Sequence, residues 1–336
     1  MMAKHMGKQS MEFEKDISII STASTVGTKE GQGPLKEYFD SILTDNLAGQ
    51  DSWEKAESKI ASDNLKLAIN KAGLNPSDIS YVVTGDLLNQ CCGSVFGVRS
   101  LNIPFFGIFG ACSTMGESMS LGAVLLESGG AKYVLCGASS HFASAEKQFR
   151  FPMDLGTQRT PTATWTVTGD GAALLAVKNE HPYIRRITTG KIIDLGITDA
   201  NNMGAAMAPA AADAIYQHFC DFGFKPDYYD VIATGDLGYV GQKLLIELLN
   251  KKGIDISKNH IDCGIEIFDR ELQDTHCGGS GCACSAVTFA GMLYNKLRHK
   301  SINKVLFVPT GALMSPTSVQ QGESIAGIAH CVGIEN

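Results

Sequence analysis

The sequence predicts an α/β fold assembled from two similar halves, and three observations support this prediction. Residues 72–87, AGLNPSDISYVVTGDL, match residues 222–237, FGFKPDYYDVIATGDL, at an offset of 150. Residues 111–113 match residues 283–285 at an offset of 172. Helical segments alternate with continuous apolar runs, a pattern typical of a sheet covered by helices on both faces. Two matches in the same order indicate a duplicated fold.

The first half shows the order of elements most clearly. Residues 53–72 carry apolar side chains at helical spacing, so we expect a helix that Ser52 caps and Gly73 ends. Apolar runs predict strands at about 79–84, 104–109, 132–137 and 172–177. In the second half, the segment at about 285–299 predicts the helix that follows the second repeat block.

The growth of the offset from 150 to 172 locates an insertion in the second half, within residues 238–276. We therefore divide the chain into an N-terminal half, residues 1–178, and a C-terminal half, residues 179–336. Because the halves derive from one repeat, equivalent strands should occupy equivalent positions in both.

Composition and charge exclude some classes of protein. Hydrophobic residues make up 44% of the 336 residues, which is enough to bury a large core. The net charge of −7 argues against non-specific nucleic-acid binding, which needs a basic surface. The polar start shows no secretory signal, and the uncharged run 275–295 is too rich in Gly, Ser and Cys to predict a membrane span. We expect a soluble, cytoplasmic-type chain whose ten cysteines are reduced.

Two cysteine groups require a test for metal binding. Adjacent cysteines point in different directions and chelate poorly, and a four-residue group in the second half has no second CxxC or HxxxH to complete a zinc pattern. We therefore expect no metal. The residues concerned are Cys91 and Cys92 in the first group and His276, Cys277, Cys282 and Cys284 in the second.

A cysteine at a predicted helix start is the leading candidate for chemistry. Cys112 follows the apolar run IPFFGIF and precedes a helix rich in small residues. The positive end of the helix dipole would lower the pKa of its thiol, and free backbone N–H groups could receive a carboxylate or oxyanion. The competing interpretation is a small core cysteine. Its repeat partner, Cys284, is the weaker candidate because it lies among other cysteines.

These residues resemble a known superfamily. GACST before a small-residue helix, the duplicated halves and TVTGDGAALLAV at 166–177 are similar to the thiolase and ketoacyl-synthase superfamily. Longer segments resemble the stage V sporulation protein AD family of spore-forming bacteria more closely: FRFPMDLGTQRTPTATWTVTGDGAALLA, GGSGCACSA and PTGALMSPTSVQQGESIAGIAH. The resemblance covers nearly the whole chain.

The resemblance implies a thiolase-like fold with two duplicated halves in α-β-α-β-α layers. It also implies a dipicolinic acid-binding protein that takes part in dipicolinate uptake into the developing spore, together with other SpoVA membrane proteins. We expect peripheral association with the forespore or spore inner membrane through those partners. Thiolase-fold proteins commonly pair through their first-half sheets, which implies a homodimer.

The resemblance carries the family nucleophile onto Cys112, but the remaining catalytic groups are incomplete. Type III ketoacyl synthases use a histidine in the loop after a second-half strand, where this chain has Gly235 and Asp236. They also use an asparagine in a later Gly-rich loop, where this chain has Gly279 and Ser280.

A histidine near that loop offers a partial substitute. His276 is similar to the histidine of the thiolase GHP motif, although Cys277 stands where the motif has proline. A positioned acid or base contributes roughly 10²–10⁴ in rate. The loss of two such groups argues against efficient condensing chemistry and leaves the pocket available for binding.

Dipicolinate is a planar ring with two carboxylates, so cationic and polar groups near the pocket are candidate contacts. Arg150 and Arg159 flank the FPMDLGTQ loop and could bind carboxylates bidentately, or they could be surface arginines. His141 follows the strand YVLCGAS, where doubly wound sheets place ligands. Asp86 and Asp236 are repeat partners at strand ends, where they could line the pocket or hold turns.

The predicted ligand-binding residues are Cys112, His276, Asp86, Asp236, His141, Arg159 and Ser280. A carboxylate near a dianion repels it unless the carboxylate is protonated or Ca²⁺ bridges the two. The ligand could therefore enter as a calcium chelate.

Two other functions stay open. The first is an acyltransferase or condensing enzyme that uses coenzyme A substrates, with Cys112 as nucleophile and His276 as base. The second is a scaffold that docks membrane partners and leaves its pocket unused.

Overall fold

The computed structural model describes residues 3–149 and 159–336. The α-helices of these residues are α1 (Trp53–Lys71), α2 (Cys92–Val98), α3 (Thr114–Glu127), α4 (Phe142–Phe149), α5 (Met203–Phe222), α6 (Gly238–Asn250), α7 (Cys263–Glu266), α8 (Cys282–Thr288), α9 (Tyr294–Arg298) and α10 (Pro316–Gln320). A π-helical turn, Phe289–Leu293, joins α8 to α9.

The strands are β1 (Lys4–Met6), β2 (Ser10–Val26), β3 (Ser41–Ile42), β4 (Tyr81–Gly85), β5 (Phe105–Gly107), β6 (Tyr133–Ser140), β7 (Trp165–Thr166), β8 (Gly169–Val177), β9 (Tyr183–Thr188), β10 (Val231–Thr234), β11 (His260–Asp262), β12 (Gly279–Ser280), β13 (Lys304–Val308), β14 (Thr310–Leu313), β15 (Ala326–Ala329) and β16 (Cys331–Glu335).

The main sheet repeats one strand order on either side of its centre. Its path runs β11-β10-β13-β16-β9-β2-β8-β6-β4-β5, so the four strands beyond β9 mirror the four beyond β2. Pairing senses repeat as well, because β4 and β10 each run parallel to both of their neighbours. β2 and β9 are antiparallel and join the two sets. The duplication predicted from sequence is therefore visible as one strand order used twice.

Alternating side chains place three apolar cores between the layers. In β4, Val82 faces a core shared with α1, and Val83 faces the central core. In β13, Leu306 packs with α5 and α6, and Phe307 faces the central core. The central core contains α3 and α8. A period of two along buried strands thus produces the predicted α-β-α-β-α layering.

Local predictions in the first half are confirmed. α1 begins at Trp53, the side chain of Ser52 accepts a hydrogen bond from the Lys55 N–H, and Gly73 follows the helix with φ of 68°. The boundary predicted at residue 178 falls between β8 and β9. The division into two domains stays a prediction, because both halves share one sheet. Across the described ranges, no helix is long and apolar enough to cross a membrane.

Candidate functional site

Cys112 lies in a tight loop that enters α3. Ala111, which precedes it, has φ of 50°, a left-handed conformation that costs a non-glycine residue about 1 kcal/mol. The N–H groups of Ser113 and Thr114 donate to the carbonyls of Gly110 and Ala111, each at 3.1 Å. The loop is therefore fixed by its own hydrogen bonds, and it presents the Cys112 side chain to the second half of the chain.

The groups that meet Cys112 come from the second half. Its Sγ lies 3.9 Å from Ser280 Oγ, which donates to Asp236 Oδ2 at 2.9 Å. The Gly281 N–H donates to the same carboxylate oxygen at 3.1 Å, and Thr310 Oγ1 donates to Oδ1 at 2.9 Å. The structure thus brings together three of the predicted site residues, in the order cysteine, serine and carboxylate.

The thiol of Cys112 is not activated. Burial raises its pKa well above the ordinary value, and the nearby Asp236 carboxylate raises it further. The predicted lowering by the helix dipole is wrong for this geometry, because α3 begins at Thr114 and the desolvation penalty is the larger effect. The carboxylate also repels a thiolate, whereas an imidazolium at this place would attract one.

Several of the backbone N–H groups expected to bind a ligand carboxylate already donate hydrogen bonds within the protein. Those of Ser113 and Thr114 already donate within the loop, and the Gly110 N–H donates to Thr114 Oγ1 at 3.2 Å. An anion at this helix end would have to replace these bonds. Side-chain groups around Cys112 are consequently better placed for a ligand than the backbone of α3.

We predict that Cys112 reacts slowly with alkylating reagents. At pH 7.5, N-ethylmaleimide should modify Cys112 on the order of 100-fold or more slowly than the exposed Cys220, because little thiolate forms and access is blocked. Peptide mass spectrometry over a time course gives both rates in one sample. Equal rates for the two cysteines would contradict this description of the thiol.

The other repeat aspartate holds a turn. Asp86 is buried and accepts hydrogen bonds from the N–H groups of Leu88, at 2.8 Å, and Ser94, at 2.6 Å. Burial raises the pKa of its carboxyl group. These contacts match the turn interpretation offered beside the pocket interpretation, so its role in ligand binding stays a prediction.

His141 is buried with both ring nitrogens engaged. Nε2 lies 2.8 Å from the Asn46 carbonyl, which accepts its proton, and Nδ1 accepts from the Ala143 N–H at 3.1 Å. Burial lowers the pKa of the imidazole, which keeps it neutral. The ring packs against Trp53, with centroids 5.4 Å apart. These contacts lie apart from those of Cys112.

Arg159 and His276 both contact the side chain of Asp274. Arg159 Nη2 donates to the Asp274 carboxylate at 2.6 Å, and His276 Nε2 lies 3.0 Å from the same side chain. His276 Nδ1 lies 2.7 Å from the Thr160 carbonyl. Neither residue shows a contact with Cys112, and the ring nitrogens of His276 are already engaged. Arg150 and the FPMDLGTQ loop, residues 151–158, lie outside the described residues.

Two residues at the site were not predicted from the sequence. Thr310 lies at the start of β14 and holds Asp236 Oδ1. Asp262 ends β11, where it accepts hydrogen bonds from the N–H groups of Leu237 and Gly238 at 2.9 and 3.0 Å. The strand-end position of Asp262 could have indicated it, since β11 neighbours the strand that leads to Asp236. Within the ranges described, no group of three or more His, Cys, Asp or Glu residues is arranged to hold a metal ion.

Comparison with known proteins assigns the family. Residues 7–335 match the model of the family described as stage V sporulation protein AD (SpoVAD). A similar curated protein, stage V sporulation protein AD of Bacillus subtilis (strain 168), is 44% identical over 332 residues, which cover 99% of this chain and 98% of the relative. The chain belongs to the stage V sporulation protein AD family.

Solved structures similar to this SpoVAD family member are ketosynthases. The 3-oxoacyl-[acyl-carrier-protein] synthase III of Aquifex aeolicus VF5 is 12% identical with a TM-score of 0.58, covering 95% of this chain and 100% of that chain. Cerulenin-bound OleA of Xanthomonas campestris is 14% identical with a TM-score of 0.61, covering 97% and 98%. At these identities the likeness shows the fold alone, and the predicted thiolase-like fold is confirmed.

Proposed function

We propose that this SpoVAD family member binds dipicolinic acid without transforming it and takes part in its uptake into the developing spore. The observation that carries the proposal is the contact of Cys112 with Ser280 and the Asp236 carboxylate. The position of a nucleophile is kept, but its neighbour is an acid that holds the thiol protonated. Family membership supports the sporulation role.

The energetics of proton transfer argue against acyl transfer. Asp236 has a pKa raised to about 6 by burial, while burial raises the pKa of the Cys112 thiol well above its ordinary value. Moving the proton from sulfur to this carboxylate is therefore unfavourable, because the carboxyl group is much the stronger acid of the two. That cost would add directly to the barrier for nucleophilic attack. A non-covalent ligand needs no such transfer.

The ligand would meet polar side chains at this place. Ser280 and the Cys112 thiol can donate hydrogen bonds to a carboxylate, and a protonated Asp236 can do the same. Dipicolinate as a calcium chelate is the other form considered, with Ca²⁺ between the carboxylates. Asp86, His141 and His276 already contact protein groups, whereas Arg159 is bound through Nη2 and its buried Nη1 has no hydrogen-bond partner among the described residues. Binding through any of the four stays a prediction.

Calorimetric titration tests the proposal. Dipicolinic acid should bind the purified protein saturably, and Cys112→Ala should weaken binding about tenfold, since it removes a contact at the ligand. Cys220→Ala is the matched control, because Cys220 is exposed, and it should bind as the unmodified chain does. Adding EDTA distinguishes the free acid from the calcium chelate. An absence of saturable binding both with and without EDTA would refute the proposal.

The second candidate is acyl transfer from coenzyme A to Cys112, favoured by the retained cysteine beside a helix start. Intact-mass measurement after incubation with acyl-coenzyme A decides this. A mass increase that is lost in Cys112→Ala would establish it. An unchanged mass together with dipicolinate binding supports the binding protein.

We also propose that the chain forms a homodimer through β5. This strand ends the sheet path, and Phe106 and Phe109 beside it are nearly half exposed, as is Phe96 of α2. Such an open apolar edge is costly in an isolated chain. Sedimentation equilibrium should show a dimer that Phe106→Glu converts to a monomer. Leu272 is exposed and is not part of β5, so Leu272→Glu should leave the dimer intact. A parent chain that is monomeric would contradict the proposal.

Membrane association would run through protein partners. We propose that other SpoVA membrane proteins hold this chain at the forespore or spore inner membrane. The chain should then float with vesicles that contain those proteins and not with protein-free vesicles. Binding to protein-free vesicles would contradict this proposal.

A further inference from the structure

Two buried carboxyl groups lie together behind Cys112. Asp236 follows β10 and Asp262 ends β11, and these strands run parallel with Thr234 beside Asp262. Both aspartates are buried. A Cβ placed on Gly264 would lie 3.1 Å from Asp262 Oδ1 and 3.3 Å from Asp236 Cα, which shows how closely the two residues approach. Like charges this near one another cannot both ionise at low cost.

The donors around Asp262 favour its ionised form. Two are backbone N–H groups, from Leu237 and Gly238, which can donate hydrogen bonds but cannot accept one from a protonated carboxyl group. The third is Thr234 Oγ1 at 2.6 Å. The Gln242 amide nitrogen lies 3.3 Å from His260 Nδ1, which therefore accepts and leaves the ring proton on Nε2. His260 Nε2 then donates to Thr234 Oγ1 at 2.9 Å, and the Thr234 proton is left for the carboxylate. Every neighbour of Asp262 in this set therefore points a hydrogen at it.

The donors around Asp236 are of a different kind. Two are hydroxyl groups, Ser280 and Thr310, which can rotate and accept instead of donating. The Oδ1 atom of Asp236 is approached by Thr310 at 2.9 Å, whereas the backbone N–H of Gly281 addresses Oδ2. When the pair holds one proton, that proton can sit on Asp236 Oδ1. There it faces the Thr310 hydroxyl, which can accept it, and not a backbone N–H, which cannot.

The remaining neighbours leave Asp236 with little positive charge nearby. The groups that act on it from the packed elements are the Ser280 and Thr310 hydroxyls, the carboxylate of Asp262, and the thiols of Cys112, Cys263, Cys282 and Cys284. Burial, followed by the Asp262 charge, raises the pKa of Asp236 to about 6, and burial raises that of Asp262 to about 6. Because the two groups interact, they titrate as a pair.

We propose that a dicarboxylate ligand binds beside Cys112 together with a proton that Asp236 takes up, and that Asp262 is the positioning residue that directs this proton to Asp236. The inference rests on the proposed dipicolinate binding. It selects a proton over Ca²⁺ as the group that relieves repulsion. Three protein donors already occupy the Asp236 oxygens, so a cation would find one open acceptor position there.

Proton-linked calorimetry tests the inference. Dipicolinic acid is titrated with EDTA present at pH 7.5 in buffers of different ionisation enthalpy. The slope of the observed enthalpy against buffer enthalpy gives the protons taken up. We expect about one proton per ligand and a tenfold fall in affinity per pH unit between pH 7 and 8. At pH 5 the uptake should vanish, because the pair is already protonated.

Two variants make the test specific. Asp236→Asn should bind with near-zero proton uptake, and Asn fits because its amide can donate to Thr310 while its oxygen accepts from Ser280 and Gly281. Thr234→Val removes a donor to the ionised pair, so the midpoint of the pH profile should rise. A purely structural role for Thr234 would lower affinity at every pH and leave the midpoint unmoved. Cys220→Ala again serves as the control.

The outcomes separate this inference from the proposed function. Binding without proton uptake overturns the inference and leaves the proposed function intact. Binding that requires Ca²⁺ does the same. An absence of binding at every pH from 5 to 8 removes the proposed function and the inference with it.

Discussion

Replacing Gly171 with valine is expected to abolish the cooperative fold. A Cβ at this position would lie 2.2 Å from the Ala286 carbonyl carbon and 2.6 Å from the Val287 nitrogen, so the backbone of α8 rests directly on β8. Overpacking a core usually costs roughly 1–3 kcal/mol, and a clash with backbone in the central layer should exceed that range. Urea unfolding, or the loss of soluble protein, measures the effect.

A control and a milder variant sharpen this prediction. Gly130→Ala changes a glycine on the exposed turn after α3 and should shift the free energy of unfolding by less than about 0.5 kcal/mol. Gly171→Ala should fall between Gly130→Ala and Gly171→Val. A Gly171→Val protein as stable as the parent would show that α8 does not contact β8 as described.

Replacing Asp170 with asparagine is expected to stabilise the protein strongly at alkaline pH. Asp170 is buried on β8, where Oδ1 accepts from Asn64 at 2.6 Å and Oδ2 has no hydrogen-bond partner among the described residues. Burial raises its pKa to about 8. Ionised Asp170 also faces Glu57, a buried carboxyl group whose pKa is raised well above normal, first by burial.

The sign of the pH dependence follows from the raised pKa. The folded protein holds the Asp170 proton more tightly than the unfolded chain, whose pKa is about 3.8, so this contribution to stability is lost as the pH rises toward 8. At pH 8.5, Asp170→Asn should gain on the order of 3 kcal/mol in urea unfolding, and at pH 4 the gain should largely disappear. Ser139→Ala, beside Glu57, leaves Asp170 ionisable and should retain the pH dependence. Equal stabilisation at both pH values would contradict the assignment.

The repeat made the fold predictable from the sequence. Matching segments at 72–87 and 222–237 became β4 and β10, which occupy mirrored places in the sheet. Apolar runs located the buried strands because a central strand needs apolar residues on both faces. The second repeat block, in which residues 111–113 were matched with residues 283–285, was aligned less accurately. Cys112 follows a residue of positive φ, as does Cys282, whereas its proposed partner Cys284 lies inside α8.

The site was predictable where motifs carried it. Cys112 was indicated by its place before a predicted helix, Asp236 by the repeat and Ser280 by the resemblance, and the three meet in the structure. Thr310 was missed because its contact with Asp236 joins segments 74 residues apart and no local pattern marks it, whereas Asp262 had only its position at the end of a strand to indicate it. The state of the thiol was also beyond prediction, since its pKa depends on burial and on a carboxylate from the other half of the chain.

The most direct test of the central claim is a crystal structure of the protein grown with dipicolinic acid. We expect the planar ring beside Cys112, with a ligand carboxylate within hydrogen-bond distance of Ser280 or the Cys112 thiol, and with the sulfur unmodified. A covalent adduct on Cys112 would contradict a binding protein. Dipicolinate found elsewhere, for example in the cavity of about 410 Å³ lined by Leu88 and Gln148, would contradict the assignment of the site.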